Sequence, residues 1–297
     1  LGVEAMRTLL AKNEKSLITK ALNSDDSQKA EQTIRALGNA GDKGAEEILW
    51  NIIEDSERPL ALRRAAVTGA SNSRNSAMKL TKLASGGRLD ENLKDATASA
   101  LHTSQWPDVK AQAIKLFPLP ATKNNKPLPP ITELVKLKGD AKLGRILFNT
   151  TATCNKCHIV NNVGREVGPD LSEIGKKLTR EAMYQSILFP SAGISHNYES
   201  YLIAFSDGTT VNGLVPSRTD EEIAVKGVDG ITRKYKMADV EIIKKQNISL
   251  MPADLQKVMS EEDLVNVVEY LTTLKEAKQL GKEQAAGGES QKGKQGE

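Results

Sequence analysis

Cys154-Asn155-Lys156-Cys157-His158 is the stretch from which the rest of the chain is read. A Cys-x-x-Cys-His run is the attachment signature of a c-type haem. Two thiols must reach two vinyl groups on one porphyrin edge and form thioethers. Two intervening residues let the backbone turn so that both sulfurs face that edge. The next side chain then falls under the ring, where an imidazole binds iron. These are the only two cysteines, and one of the three histidines follows the second directly. A structural zinc site takes four ligands, and no second Cys pair exists, while His102 and His196 are not spaced as a pair. A thioredoxin-like pair requires a preceding strand, whereas the residues before Cys154 carry a helical pattern. The reading is one covalent haem c, with Cys154 and Cys157 as attachment points and His158 as an iron ligand.

Working outward, Asp140 is placed to cap a helix whose apolar positions are Leu143, Ile146, Leu147 and Phe148. Gly144 on that helix offers room for a close helix crossing. Gly168-Pro169-Asp170-Leu171 follows the haem motif. At the far end, Ser260-Glu261-Glu262-Asp263 has the form of a capping box. Leu264, Val267, Val268, Leu271 and Leu274 then recur at helical spacing.

Together these segments, with Met251-Pro252 and Tyr270, resemble a class I cytochrome c. The resemblance implies that the first and last helices cross near the haem, through Gly144, Phe148 and Tyr270. It implies that the Pro169 carbonyl accepts a hydrogen bond from Nδ1 of His158 and so orients the ring. The order of segments, with Leu188-Phe189-Pro190-Ser191 and a β insertion, is similar to the haem-binding domain of planctomycete and verrucomicrobial proteins, in which HEAT-like repeats often precede the haem. Many such proteins also carry an upstream propeller resembling sugar dehydrogenases. No propeller is present here, so that activity does not transfer.

For the distal ligand the expectation is Met251. Met6 belongs to the first helices, Met183 to an apolar helical face, Met237 to a β segment, and Met259 stands at the start of the last helix. Met251 alone precedes a proline, which restricts it to extended backbone. His196, in the loop Ser195-His196-Asn197, is the competitor.

The chain between Pro169 and Met251 is too long for a minimal cytochrome, and much of it alternates. Tyr201 to Phe205 and Thr209 to Val215 flank Asp207-Gly208; Glu222 to Lys226 and Ile231 to Lys236 flank Asp229-Gly230; Val240 to Ile243 follows. Five short strands predict a small Sm-like β-barrel over about 199–246. Arg233, Lys234, Lys236, Lys244 and Lys245 read as its solvated face.

Residues 1–117 read as paired helices. Ala30, Leu62 and Leu93 align, as do Ile34, Ala66 and Thr97; in the second helices Leu49, Leu80 and Ala111 align, as do Ile52, Leu83 and Ile114. Offsets of 31 or 32 residues predict a HEAT-like α-solenoid. The fold class expected is therefore mainly α: a solenoid, then a cytochrome c domain with an inserted barrel. Five prolines within 118–130 mark a linker. The haem domain runs over 131–275, and 276–297 reads as a partly disordered tail.

A formal charge of +3 is too small to argue for nucleic acid, and no apolar run reaches membrane-span length. The first residue is Leu, which suggests a processed chain or a piece of a longer one. Covalent haem attachment implies a bacterial periplasmic or otherwise extracytoplasmic setting. The function expected is electron transfer with a redox protein, a dehydrogenase being the first candidate, rather than enzymatic turnover. The alternative is a haem enzyme or sensor with an open distal site, peroxidase-like in chemistry.

Overall fold

The computed structural model describes residues 2–276, and the expected disordered tail lies almost wholly outside them. Eight helices come first: α1 (Val3–Ala11), α2 (Lys15–Leu22), α3 (Ser27–Ala40), α4 (Lys43–Glu54), α5 (Leu60–Ala70), α6 (Arg74–Ser85), α7 (Lys94–His102) and α8 (Pro107–Leu116). Local chemistry sets their ends. Asp26 accepts from the Gln28 and Lys29 amides, Asp42 from those of Gly44 and Ala45, and Ser73 from Ser76. Gly41, with φ of 70°, stops α3. The helices share one apolar core that includes Met6, Ile34, Leu49, Leu80 and Leu101. Gly38 and Gly69 let α3 and α5 cross backbone to backbone, because a Cβ on Gly38 would lie 2.5 Å from the Gly69 Cα.

The expected solenoid requires a correction. The constant offset fails in the third pair, where Ala111 is exposed and Ile114 is 43% exposed. Val109 and Ala113 fill the core instead. The cause is local: α6 starts 31 residues after α4, from Lys43 to Arg74, whereas α8 starts 33 after α6, at Pro107. Proline favours the first helical position and delays that start. The helices form one packed layer without the repeat register of a HEAT-like array.

Residues 118–130 lie against the second part of the chain. The Lys123 amide donates to the Met259 carbonyl at 3.0 Å, the Lys123 ammonium meets Asp263 at 2.5 Å, and Leu128 is buried. Five further helices follow: α9 (Ile131–Leu134), α10 (Ala141–Asn149), α11 (Ile174–Lys177), α12 (Arg180–Leu188) and α13 (Glu261–Thr273). Ser260 and Asp263 form a reciprocal capping box at the start of α13. These helices enclose a second core that includes Ile131, Phe148, Tyr184, Leu264 and Val268.

The β insertion comprises β1 (Ser200–Phe205), β2 (Thr210–Arg218), β3 (Glu222–Lys226), β4 (Thr232–Lys236) and β5 (Val240–Lys245). Here the expectation of a closed barrel is also corrected. The strands form an open antiparallel sheet in the order β4-β3-β2-β1-β5, in which β4 and β5 are the two edges. A tight 3-10 turn, Met237–Asp239, leads from one edge to the other without pairing them. The edge strands carry Arg233, Lys234, Lys236, Lys244 and Lys245, and such charges protect an unpaired edge. Bulges at Ala204/Phe205 and between Leu214 and Ser217 bend the sheet. Ile203, Phe205, Ile223 and Val225 make its small core. The molecule is thus about half helical with an open sheet, rather than mainly α with a barrel. No helix among the described residues is long and apolar enough to cross a membrane.

Candidate functional site

The site begins at the crossing of α10 and α13. A Cβ on Gly144 would lie 1.9 Å from the Asn266 carbonyl oxygen and 2.9 Å from Tyr270 Cβ, so only glycine permits this approach. Phe148 meets Tyr270 edge-on, with ring centroids 5.6 Å apart. The side chain of Asp140 accepts from the Lys142 and Leu143 amides, and its own amide donates to Asn266 Oδ1 at 2.7 Å. The crossing fixes where α10 ends and where the chain leaves it.

After α10 the Ala152 amide returns to the Leu147 carbonyl, and Thr153 takes a left-handed conformation at φ 51°. A 3-10 turn over Cys154–Lys156 follows. The amides of Cys157 and His158 both donate to the Cys154 carbonyl, at 3.1 and 2.9 Å. This turn sets the spacing of the two thiols and of the imidazole behind them. Both cysteines are free and half-buried. Burial pushes the Cys154 thiol up to about 12. It also raises Cys157, against Arg165 and Lys156. Neither is the low-pKa thiolate that nucleophilic or disulfide-exchange chemistry uses.

The loop beyond His158 folds back beneath its ring. The amides of Val167 and Gly168 donate to the Cys157 carbonyl at 2.9 and 2.7 Å, and the Leu171 amide donates to Ile159. Nδ1 of His158 lies 2.8 Å from the Pro169 carbonyl oxygen. With Nδ1–H donating, Nε2 is the nitrogen with a lone pair to offer. Burial holds this imidazole below its usual value, against the opposing pull of that carbonyl, and so favours the neutral ring that binds metal. Gly168 lies flat against the ring, where a Cβ would come within 2.5 Å of Cε1. In the sequence Gly168 stands out only as the partner of Pro169. Its contact with the ring had no sequence signal beyond the Gly-Pro pair itself.

The sheet reaches the same loop. Arg165 donates to the Asp229 carbonyl at 3.0 Å, and the Lys226 ammonium lies 3.1 Å from the Glu166 carboxylate. Most of the sheet's cations are paired, as in Arg233 with Asp229, Lys234 with Glu222 and Lys245 with Glu199.

The methionines and the other two histidines have different surroundings. Met251 is half-buried and packs against the second core, as Cys154 does. Its amide donates to Ser249 Oγ at 3.1 Å. Met6, Met183 and Met259 are buried in cores, Met78 packs on the helical layer, and Met237 packs on the sheet. His196 is exposed in a turn beside Glu199. His102 is buried far along the chain, with Nε2 2.7 Å from the Phe117 carbonyl and its ring against Phe189. Among the described residues no group of three or more His, Cys, Asp or Glu side chains is placed to hold a metal ion. No protein-family model and no curated protein matches the chain.

Proposed function

We propose that this chain is a c-type cytochrome module that exchanges single electrons with a redox protein. One haem would be held by Cys154, Cys157, His158 and Met251. Such a haem supplies a one-electron iron couple whose potential is set by its axial ligands and surroundings. The remaining work belongs to the chain. Cys154 and Cys157 attach the group through thioethers. Pro169 takes the Nδ1 proton as hydrogen-bond acceptor and holds the ring in one orientation, which leaves Nε2 as the ligand atom. Gly168 leaves room for that ring, which a Cβ at this position would strike. Met251 would hold the iron through its thioether sulfur, a ligand that raises the potential.

The observation that carries this reading is the His158–Pro169 contact placed directly behind the two thiols. A thiol-redox motif has no need of an imidazole tethered in this way, and a structural zinc site would need further ligands beside this one. The proposal includes an extracytoplasmic setting and a protein partner, of which a dehydrogenase is the first candidate. Its test is a potentiometric titration followed by visible absorption, with carbon monoxide added to the reduced protein. A reversible one-electron couple and a spectrum indifferent to carbon monoxide are expected. Rapid carbon monoxide binding with peroxide turnover would show an open-site enzyme instead.

A further inference from the structure

Arg64 is a cation buried on α5, 7% exposed, and it is not part of the haem motif. Its Nε donates to the Asn92 carbonyl at 3.0 Å, within its own helical layer. Its Nη2 donates to the Asn247 carbonyl at 2.7 Å, 183 residues away in sequence. Asn247 is held a second time, by its side-chain Nδ2 donating to Asn92 Oδ1 at 2.9 Å. A buried guanidinium is costly unless its donors are matched. Here its hydrogen bonds go to two backbone carbonyls, which demand position, while Asp95 and Asp90 supply the nearby opposite charge.

Asn247 opens the short strap that ends in Met251, and nearly every residue of that strap is tied. The Gln246 amide donates to the Ser200 carbonyl at 2.8 Å, and Ser200 Oγ donates to the Ile248 carbonyl at 3.0 Å. The Ser249 amide donates to Ser191 Oγ at 3.1 Å, and Ser249 Oγ receives the Met251 amide. Met251 lies four residue steps beyond the Arg64 anchor at Asn247, a leash of at most about 14 Å. A separate contact, Gln185 Nε2 with Ser99 Oγ at 3.0 Å, ties α12 to α7. Loss of the Arg64 contact therefore loosens the strap, leaving its remaining ties in place, without undocking the helical layer.

We propose that Arg64 is a positioning residue: the helical layer holds the strap through it and thereby fixes the Met251 thioether. The strap part stands on geometry alone, and the ligand part rests on the haem reading above. The test is amide exchange on the full haem-loaded chain for wild type, Arg64→Ala and Arg64→Lys. Lysine keeps the charge but lacks the planar fork that spans two carbonyls, so it decides the matter should the alanine variant not fold. Exchange at the Ser249 and Met251 amides should rise about tenfold or more, as loss of one charge-assisted hydrogen bond implies. Exchange at Val167 and Gly168 should stay unchanged. The near-infrared sulfur-to-iron band should weaken, and reduced protein should bind carbon monoxide faster. Unchanged protection at Ser249 and Met251, or an equal loss at Gly168, overturns the clamp. Faster strap exchange with an intact band overturns its role toward the ligand. A wild-type protein that lacks the band defeats the Met251 reading instead, and the exchange arm still decides the clamp.

Discussion

Replacing Gly144 with Ala should destabilise the haem-binding part of the chain, although alanine is the better helix former. The added Cβ would stand 1.9 Å from the Asn266 carbonyl oxygen, and real contacts of this kind are essentially never under 3.0 Å. The helices must therefore part by roughly 1 Å, against backbone that cannot rotate away as a side chain could. Parting them also loosens the Phe148–Tyr270 contact and the Asp140–Asn266 hydrogen bond. Overpacking of this kind costs about 3 kcal/mol at the upper end of its usual range. Glycine to alanine within a helix returns about 1 kcal/mol. The net loss of about 2 kcal/mol corresponds to a midpoint lower by roughly 4–8 °C for a unit of this size. Thermal unfolding followed in the haem absorption band reads it, with Gly193→Ala as the control, since a Cβ there meets nothing within 4 Å. An unchanged or raised midpoint for Gly144→Ala would refute the close crossing.

Gly168→Ala should push a methyl group into the His158 ring, which a Cβ would approach to 2.5 Å; a shifted reduction potential and faster exchange of the Gly168 position's amide check this. Met251→Ala should abolish the sulfur-to-iron band, whereas His196→Ala should leave it intact; a native spectrum without that band, kept by Met251→Ala and lost by His196→Ala, would make the site bis-histidine. The Arg180 hydrogen bond, 2.8 Å from the Glu269 carboxylate, holds that group below the usual carboxylate range. A depressed folded-state value contributes stability above the ordinary carboxylate pKa that disappears as pH falls through the lowered one. Glu269→Gln should therefore lower stability at neutral pH and flatten its decline in acid, as denaturant titrations at several pH values would record.

Much of the site was legible because it is local. The Cys-x-x-Cys-His spacing, the Gly-Pro pair eleven residues from the imidazole and the Ser260–Asp263 box are all contacts within one short run of chain. Asp207-Gly208 and Asp229-Gly230 mark hairpins because Gly208 and Gly230 take φ of 83° and 75°. Edge pairing was not legible. Alternation marks a strand and its inner face, but whether β4 meets β5 depends on sheet curvature, which alternation does not encode. The repeat misled for a related reason: two pairs in register suggested a third, while Pro107 set the start of α8 independently. The strap contacts of Arg64 and Asn247 had no signal at all, since a buried arginine bound to backbone carbonyls can fall anywhere in sequence.

The most direct measurement is the intact mass of the protein under denaturing conditions, after expression alongside a cytochrome c maturation system. The account predicts the 32.2 kDa chain plus one haem, with no free thiol left to alkylate at Cys154 or Cys157. The bare chain mass with two alkylatable thiols would contradict it.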